Sequence, residues 1–511
     1  METFGGAPSS GTPVAAMAGD GTVVIGRDVP GDSGGLQVLV RRPGGPWGAT
    51  TTIEHAAPGI DPWGLQVVGG STGSLAAVWH GGAGRGYRVA IRPSGTSAWL
   101  APRSTSVRPA VGGVVLDDQG RLWVAGVSAT GTPRTMVQVF APGQAPQTLT
   151  LPAPVGGQRD VMHQLTVTAD GVGRLAYVNE QYFAGDVDVP CHYQGDLMVA
   201  DLRIGASVKP RRLESRSGTG DRSAHGGGAC FVADGDLFSD LRLARGSDGV
   251  TTLLSSTTRY PAGLSAVTAR RVAARASWQS ATARPAIGYA ERTVVGAAAV
   301  GTRVVALLSG AYGIGPVSMA VQGPTGAWTA PRLLETQESA DIGIAGGPRG
   351  GLIAWRQVDD PYGLRAQALK GDASLGPAQT LRGTIIWTLG QVGVDNDGNG
   401  VVAYLPGDRT PERVLPYDAS GPRVTSLRVP KRVRAGKPLH LRAAAVDVWS
   451  GVSGYRWKIR KQVRTGAHAK VVLRKPGRAR VVLKVTDTRG NTTTVQRTIR
   501  VLPGKKKLRL N

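Results

Sequence analysis

The chain has 511 residues, with 74 Gly and 33 Pro beside an apolar fraction of 41%. This length indicates more than one domain, and the apolar fraction is large enough to bury cores, which excludes a disordered chain. No run approaches the roughly 18 apolar residues that span a bilayer, which excludes a transmembrane helix. Residues 421–511 carry 25 Lys and Arg against two acids, whereas residues 1–420 carry 35 against 33. The chain therefore divides into a near-neutral part and a strongly basic part.

The opening METFGGAPSSGTP has neither the basic segment nor the apolar segment of a signal peptide. The first repeat begins near Pro13, almost immediately after it. The sequence itself therefore gives no export signal.

A Gly-rich hairpin recurs along residues 1–420, each time followed by an apolar strand and then by an alternating strand. LQVLVRR (36–42), YRVAIRP (87–93), VSMAVQG (317–323) and LRAQALK (364–370) alternate with period two, as half-buried strands do. Gly supplies the positive φ that tight hairpins require. The hairpins are GDGTVVIG (19–26), STGSLAAVW (71–79), DDQGRLWVAG (117–126), ADGVGRLAYV (169–178), GSDGVTTLLS (246–255), VGTRVVALLS (300–309), PRGGLIAWR (348–356) and DNDGNGVVAY (395–404).

A tryptophan phrase closes several of these repeats, as in GAWTAPRLL (326–334) and SAWLAPRST (97–105). We predict that Trp47, Trp99, Trp278 and Trp328 pack each repeat against its neighbour. Repeats of four short strands without an amphipathic helix predict an all-β propeller of about eight four-stranded blades over residues 1–420. The eighth repeat has only about three strands. Either residues near the N-terminus supply the fourth, or one repeat is irregular and the ring has seven blades.

Cys191 and Cys230, the two cysteines of the chain, fall in polar segments of the fourth repeat that we expect to be loops. In an exported protein a disulfide between them is the expected state. His192 and His225 lie near them, so a zinc site is one alternative, although the spacing matches no zinc-finger pattern. Free thiols are the other.

The same segments are rich in carboxylates, and we take Asp186, Asp188, His192 and His225 as candidate ligand-binding residues. The carboxylates would accept calcium, or would act as the acid and base of a glycan hydrolase or lyase. The simpler alternative is that Asp favours turns. DNDGNG (395–400) superficially resembles a calcium loop. It occupies the position at which all the other repeats have their hairpin, which favours a turn. The carboxylates of the segments around the two cysteines are Glu180, Asp186, Asp188, Asp221, Asp234 and Asp236.

Residues 421–503 read as six or seven alternating strands, the size of an immunoglobulin-like sandwich, and residues 504–511 form a basic tail. Its sequence includes Gly436, Asp447 and Trp457, and near its end Val485, Thr486, Asp487 and Gly490. In these residues the domain resembles the polycystic kidney disease (PKD) family. It departs from the family's acidic WDFGDG segment, where this chain has Trp457 followed by Lys458, Ile459, Arg460 and Lys461. The resemblance implies a secreted or surface-exposed accessory domain.

Alternation locates the charge of this domain. In YRWKIR (455–460) the residues Tyr455, Trp457 and Ile459 share one face, which places Arg456, Lys458 and Arg460 on the other. Arg478, Arg480 and Lys484 follow the same pattern around buried aliphatic positions. One interpretation is a solvated outer face, and the other is a binding face for a polyanion, because these cations have almost no acids as partners.

Together these features favour a bacterial, extracellular or cell-surface protein without enzymatic activity, acting as a monomer. Its propeller loops would contact a ligand, and its basic domain would bind an anionic envelope polymer or glycan. Nucleic acid is a less favoured partner, because the domain has only three aromatic residues and two of them belong to the predicted core. The alternative is a propeller-type glycan hydrolase or lyase that uses carboxylates of the 180–236 segments. No GxSxG, HExxH or P-loop motif supports catalysis, and no cofactor other than calcium is suggested.

Overall fold

The computed structural model describes residues 2–3, 14–29, 35–55, 63–82, 86–131, 133–153, 158–183, 191–221, 231–260, 264–278, 282–290, 293–310, 314–358, 363–381, 386–407 and 413–504. The chain forms two compact units: residues 1–41 with 47–417, and residues 42–46 with 418–511. The protein is all-β, and the described residues contain no α-helix. Accordingly, no helix in them is long and apolar enough to cross a membrane.

The first unit begins with a two-residue strand, followed by three antiparallel sheets of four strands each. Within each sheet, the strands pair in chain order. The strands are β1 (Glu2–Thr3); β2 (Val14–Met17), β3 (Val23–Val29), β4 (Gly35–Arg41) and β5 (Thr51–His55); β6 (Trp63–Gly69), β7 (Leu75–His80), β8 (Tyr87–Arg92) and β9 (Arg103–Thr105); β10 (Val107–Leu116), β11 (Leu122–Ser128), β12 (Thr135–Phe140) and β13 (Gln147–Thr150).

Two larger antiparallel sheets follow, one of eight strands and one of seven, again paired in chain order. The first comprises β14 (Arg159–Val167), β15 (Gly173–Phe183), β16 (Cys191–Leu202), β17 (Arg211–Asp221), β18 (Phe231–Arg245), β19 (Thr251–Tyr260), β20 (Leu264–Val272) and β21 (Thr282–Ala290). The second comprises β22 (Thr293–Val300), β23 (Arg303–Ser309), β24 (Gly315–Gln322), β25 (Arg332–Gly346), β26 (Gly350–Gln357), β27 (Leu364–Lys370) and β28 (Leu375–Leu381).

The last sheet of the first unit combines both ends of that unit. It contains β29 (Ile386–Val394), β30 (Gly400–Pro406) and β31 (Arg413–Tyr417). Its fourth strand is β1, which pairs antiparallel with β31 through Glu2 opposite Val414 and Thr3 opposite Arg413. The residues near the N-terminus therefore supply the strand that the last repeat lacks.

All of the predicted Gly-rich hairpins are hairpins in the structure. They join β2 to β3, β6 to β7, β10 to β11, β14 to β15, β18 to β19, β22 to β23, β25 to β26 and β29 to β30. Glycine is required in these turns, since Gly21 and Gly398 have φ of 88° and 93°. The four alternating segments are also strands, β4, β8, β24 and β27. Burial follows the period of two in parts of β4 and β27 but not in β8 or β24, each of which has four consecutive buried residues.

Buried apolar clusters lie between successive groups of four strands. Trp278 is 2% exposed in the cluster that joins β15 and β16 to β18 and β19, and Trp99 and Trp328 pack against two other such clusters. Trp47 is only half-buried. The largest core side chains are instead aromatic residues of the second strands, Trp79, Trp123 and Trp355, each at most 1% exposed.

The second unit contains two sheets that share one apolar core. A three-stranded sheet has the order β32-β34-β37, and a five-stranded sheet has the order β33-β39-β38-β35-β36. Trp457 of the second sheet is fully buried against apolar residues of both. The strands are β32 (Arg423–Arg428), β33 (Arg432–Arg434), β34 (Pro438–Val446), β35 (Val452–Ile459), β36 (Gln462–Thr465), β37 (His468–Val472), β38 (Gly477–Asp487) and β39 (Thr492–Leu502).

Candidate polyanion-binding face

The outer side of the five-stranded sheet is covered by cations. On β35, Trp457 and Ile459 are buried in the core, so Arg456 and Lys458 project outward and are exposed. The strands β38 and β39 follow the same alternation. We call the resulting set the basic face: Arg456, Lys458, Arg478, Arg480, Lys484 and Arg500. Five of these residues were predicted from alternation, and Arg500 was missed because its strand is less regular in sequence.

Strand register brings these cations next to each other. Arg456 lies directly opposite Lys484, and Arg478 lies directly opposite Arg500. Like charges at directly opposed positions destabilise a sheet. None of the basic-face residues forms an ion pair with a described residue. The arrangement leaves a concentrated positive potential for which the sheet offers no internal compensation.

Arg460 differs from the prediction, since it follows β35 instead of lying in it. Its φ is 51°, the left-handed region that a turn uses. Its guanidinium donates to the Lys475 carbonyl at 2.8 Å. Arg460 is therefore a turn residue at the end of the strand, and its charge lies at the margin of the basic face.

The outer side of the three-stranded sheet is a smaller cationic surface. Arg428 lies opposite Arg442, and His440 lies opposite Lys470. All four are exposed. This surface carries fewer permanent charges than the basic face and serves as an internal comparison for it.

The described residues of the 180–236 segments lie mostly in strands, so the expectation that these segments are loops is wrong for Cys191 and His192. Both lie at the start of β16, where His192 pairs with Phe183 on one side and Thr219 on the other and is exposed. Asp186, Asp188, His225, Cys230 and the side chain of Cys191 lie outside the described residues. The disulfide and the ligand-binding set therefore stay predictions.

The described carboxylates of this region have arginine partners. Glu180 is 6% exposed, and Arg159 Nη2 lies 3.2 Å from its Oε2. Burial raises the pKa of Glu180, and the charge of Arg159 opposes that shift. Asp236 pairs with Arg259, with Nε and Oδ1 3.0 Å apart. Neither carboxylate forms the free acid and base pair that the hydrolase alternative needs. That alternative depends on Asp186, Asp188, Asp221 and Asp234, whose side chains lie outside the described part of the structure.

The DNDGNG segment is a turn, as expected. Asp395 Oδ1 accepts the backbone N–H groups of Asp397 and Asn399, each at 2.9 Å, and its Oδ2 accepts the Asn399 side chain at 3.0 Å. Burial raises the pKa of Asp395 to about 6, while the Asn399 hydrogen bonds oppose the shift. Asp397 is paired with Arg349 at 2.7 Å. The carboxylates of the segment are thus used to hold the hairpin.

A cavity of about 490 Å³ opens among β2, β6, β10, β25 and β29. Its lining consists of Gly, Ala, Val, Leu, Ile and Met positions with a single amide, Gln391. Among the described residues, no titratable side chain lines this cavity.

No protein-family model matches the chain, and no curated protein matches it significantly. Among solved structures, a PKD domain of a Vibrio cholerae metalloprotease is 25% identical, with 16% of this chain and 98% of that one covered and a TM-score of 0.15. A lectin from Burkholderia pseudomallei is 13% identical over 73% of this chain and 99% of that one, with a TM-score of 0.42. Prolyl oligopeptidase B from Galerina marginata is 10% identical, with a TM-score of 0.45. The match covers 85% of this chain and 56% of the length of that one.

Proposed function

We propose that the protein is an extracellular or cell-surface binding protein without enzymatic activity, whose second unit docks on an anionic envelope polymer through the basic face. The observation that carries the proposal is the set of six exposed cations on one side of the five-stranded sheet, in which Arg456 lies opposite Lys484 and Arg478 lies opposite Arg500. A sheet that bears this repulsion without acidic partners gains stability when a polyanion neutralises it. Release of counterions from such a polymer adds to the driving force.

We further propose that the first unit is an eight-bladed propeller that presents its loops to a ligand, and that the second unit is a PKD-like sandwich. The innermost strands β2, β6, β10, β14, β18, β22, β25 and β29 contact each other in succession, and β29 also contacts β2. The pairing of β1 with β31 completes a fourth strand for the last group. Both features support a closed ring of eight four-stranded groups over a ring of seven.

The proposal predicts salt-dependent binding of the full chain to poly(glycerol phosphate), with little binding to neutral dextran. The logarithm of the association constant should fall linearly with the logarithm of salt concentration, because each neutralised phosphate releases a counterion. Replacing Arg456, Lys458 and Lys484 by Ser should weaken binding and reduce the magnitude of the slope by about 0.7 to 0.9 for each phosphate that is no longer neutralised. Fluorescence anisotropy at several salt concentrations measures both quantities.

A matched control removes the same charge from the other sheet. The variant with Arg428, Arg442 and Lys470 replaced by Ser has the same net charge as the first variant but an intact basic face. It should retain most of the affinity, and deletion of Lys505–Lys507 should have a smaller effect than the basic-face variant. Equal weakening by the two triple variants would show that net charge alone binds the polymer, and binding that survives high salt would reject the docking model.

A further inference from the structure

Three arginines lie side by side at one end of the basic face. Arg432 of β33 lies directly opposite Arg500 of β39, which in turn lies directly opposite Arg478 of β38. Their neighbours along the strands, such as Val433 and Ile499, pack into the apolar core, so the three exposed arginines project from the outer side of the sheet. Because adjacent strands are about 4.8 Å apart, this set, which we call the arginine row, spans roughly 10 Å.

Strand β33 makes the row three arginines long. It has only three residues, Arg432–Arg434, and it is the edge strand of the five-stranded sheet, where it pairs parallel with β39. Its middle residue, Val433, is half-buried against the core, whereas both arginines are exposed. The strand therefore adds little apolar surface to the core, but it places a cation next to Arg500.

The guanidinium groups of the row have no protein partner. None of the three forms an ion pair or a side-chain hydrogen bond with any described residue. Other exposed arginines of the same unit do: Arg464 donates to the Val463 carbonyl at 2.8 Å, and Arg480 donates to the Gln496 side chain. Like charges at directly opposed positions repel each other. The row is therefore a set of mutually repelling donors that are available to an external anion.

The arginine row is also separate from the other cations of the basic face. Arg478 and Lys484 are six residues apart on β38, which is about 20 Å at the rise of a strand. Lys484 lies opposite Arg456, and Lys458 is two residues further along the same strand as Arg456. The basic face thus has a mixed lysine and arginine cluster toward one end and a row made only of arginine at the other.

We propose that the arginine row binds a phosphomonoester group on the anionic polymer, an inference that rests on the proposed function and makes it more specific. A phosphomonoester has a charge of about −1.5 to −2 at neutral pH and three terminal oxygens, one for each guanidinium of the row. A carboxylate has only two oxygens, which a single guanidinium satisfies. A phosphodiester also has two free oxygens, and a sulfate ester has three but a single charge. The planar guanidinium matches phosphate geometry better than an ammonium group does.

A substitution that keeps the charge tests the row. The probes are phosphorylated dextran and dextran sulfate, matched in length and in total charge at neutral pH, and the full chain should bind the phosphorylated polymer more tightly. Arg500→Lys should weaken binding of phosphorylated dextran by about threefold to tenfold, because the guanidinium hydrogen bonds are lost, and should have little effect on dextran sulfate. Arg442→Lys is the matched control. Arg442 is an exposed arginine flanked by two cationic side chains, Arg428 and His468, at the centre of the three-stranded sheet, and its replacement should leave both affinities unchanged.

The titration of the ligand gives a second readout, which the wild-type chain alone can supply. The second pKa of a phosphomonoester is about 6, so the group loses one charge as pH falls, whereas arginine keeps its charge. From about pH 7.5 to about 5.5, binding of phosphorylated dextran should weaken relative to that of dextran sulfate. The sulfate measurement corrects for the histidines of the chain, and the relative loss should be smaller in Arg500→Lys than in Arg442→Lys.

The possible outcomes separate this inference from the proposed function. Equal affinity for the two charge-matched dextrans, or an unchanged preference in Arg500→Lys, would overturn the phosphomonoester site and leave docking through the basic face intact. Binding of phosphorylated dextran without binding of poly(glycerol phosphate) would support the site and count against the proposed docking on a polymer backbone.

Discussion

His163 belongs to a buried polar chain that ties the third sheet of the first unit to the following one. Thr135 Oγ1 donates to Asp160 Oδ2 at 2.6 Å and therefore accepts from His163 Nε2, 2.9 Å away. Asp160 also accepts from Asn179 Nδ2 at 2.9 Å. Thr135 is fully buried, and His163 is 3% exposed. A hydroxyl, an imidazole and a carboxylate are aligned here and all three are buried, which favours a structural role for them.

Burial lowers the pKa of His163 to about 4, so the folded protein holds a neutral imidazole. In the unfolded chain the histidine pKa is about 6.5. Between pH 6.5 and 4 the imidazole is therefore protonated in the unfolded chain and neutral in the folded protein. The free energy of unfolding should therefore fall by up to about 3 kcal/mol as pH drops through that window, and level off below it. Urea unfolding of wild type and His163→Gln at a series of pH values measures this.

The neighbouring groups set the control for that experiment. Burial raises the pKa of Asp160, so its contribution is present at low pH and is lost as pH rises, opposite in sign to that of His163. Tyr177, stacked at 5.8 Å on the imidazole, has its pKa raised by burial to well above this range. Because both groups remain in His163→Gln, only the histidine contribution should disappear. If the free energy of unfolding changes with pH in the same way for wild type and His163→Gln, the pH dependence does not come from His163.

At the scale of the strand, Arg456 and Lys484 are paired like charges. Their repulsion should lower the stability of the second unit, while the same two charges should strengthen its binding to a polyanion. Lys484→Glu should stabilise the second unit by about 0.2 to 1 kcal/mol at low salt, because it turns a cross-strand repulsion into an attraction. The gain should shrink as salt screens the pair. The same change should weaken binding to poly(glycerol phosphate). Differential scanning calorimetry at two salt concentrations measures the stability. The stability of Lys484→Gln should lie between those of wild type and Lys484→Glu. A Lys484→Glu variant less stable than wild type would contradict the proposed repulsion.

Local patterns predicted the hairpins and the alternating strands because turn chemistry and two-sided burial act over a few residues. The same rule placed Arg456 and Lys458 outward from Trp457. It failed where strand length depends on pairing with distant segments. His192 lies in a strand because Thr219 and Phe183 flank it, and nothing adjacent in sequence specifies that.

At the scale of the whole first unit, the pairing of β1 with β31 determines whether the outer edge of the last sheet is β31 or the two-residue strand β1. Removing residues 1–6 should lower the unfolding temperature of this unit, by the equivalent of about 1 to 3 kcal/mol, since an antiparallel pairing of two residues supplies roughly two ladder hydrogen bonds. The exposed edge of β31 should also promote self-association. Calorimetry and light scattering measure the two effects. Replacing Glu2 and Thr3 by Pro should reproduce them without shortening the chain; unchanged melting in both variants would mean that β1 contributes nothing to closure.

The long strands β18 and β25 determine which pieces of the first unit share a continuous ladder. Each has 15 residues and pairs with the preceding strand near one end and with the following strand over the rest. Gly235 and Ser339 are the points where both ladders meet, since each pairs with a residue on either side. Elsewhere in the described part of the first unit, successive sheets share no strand, and buried apolar clusters lie between them. Four of the repeats are thus fused in pairs into two large sheets. A gene fragment that ends inside either of these sheets cuts through a hydrogen-bonded ladder. A fragment that ends between β21 and β22 does not.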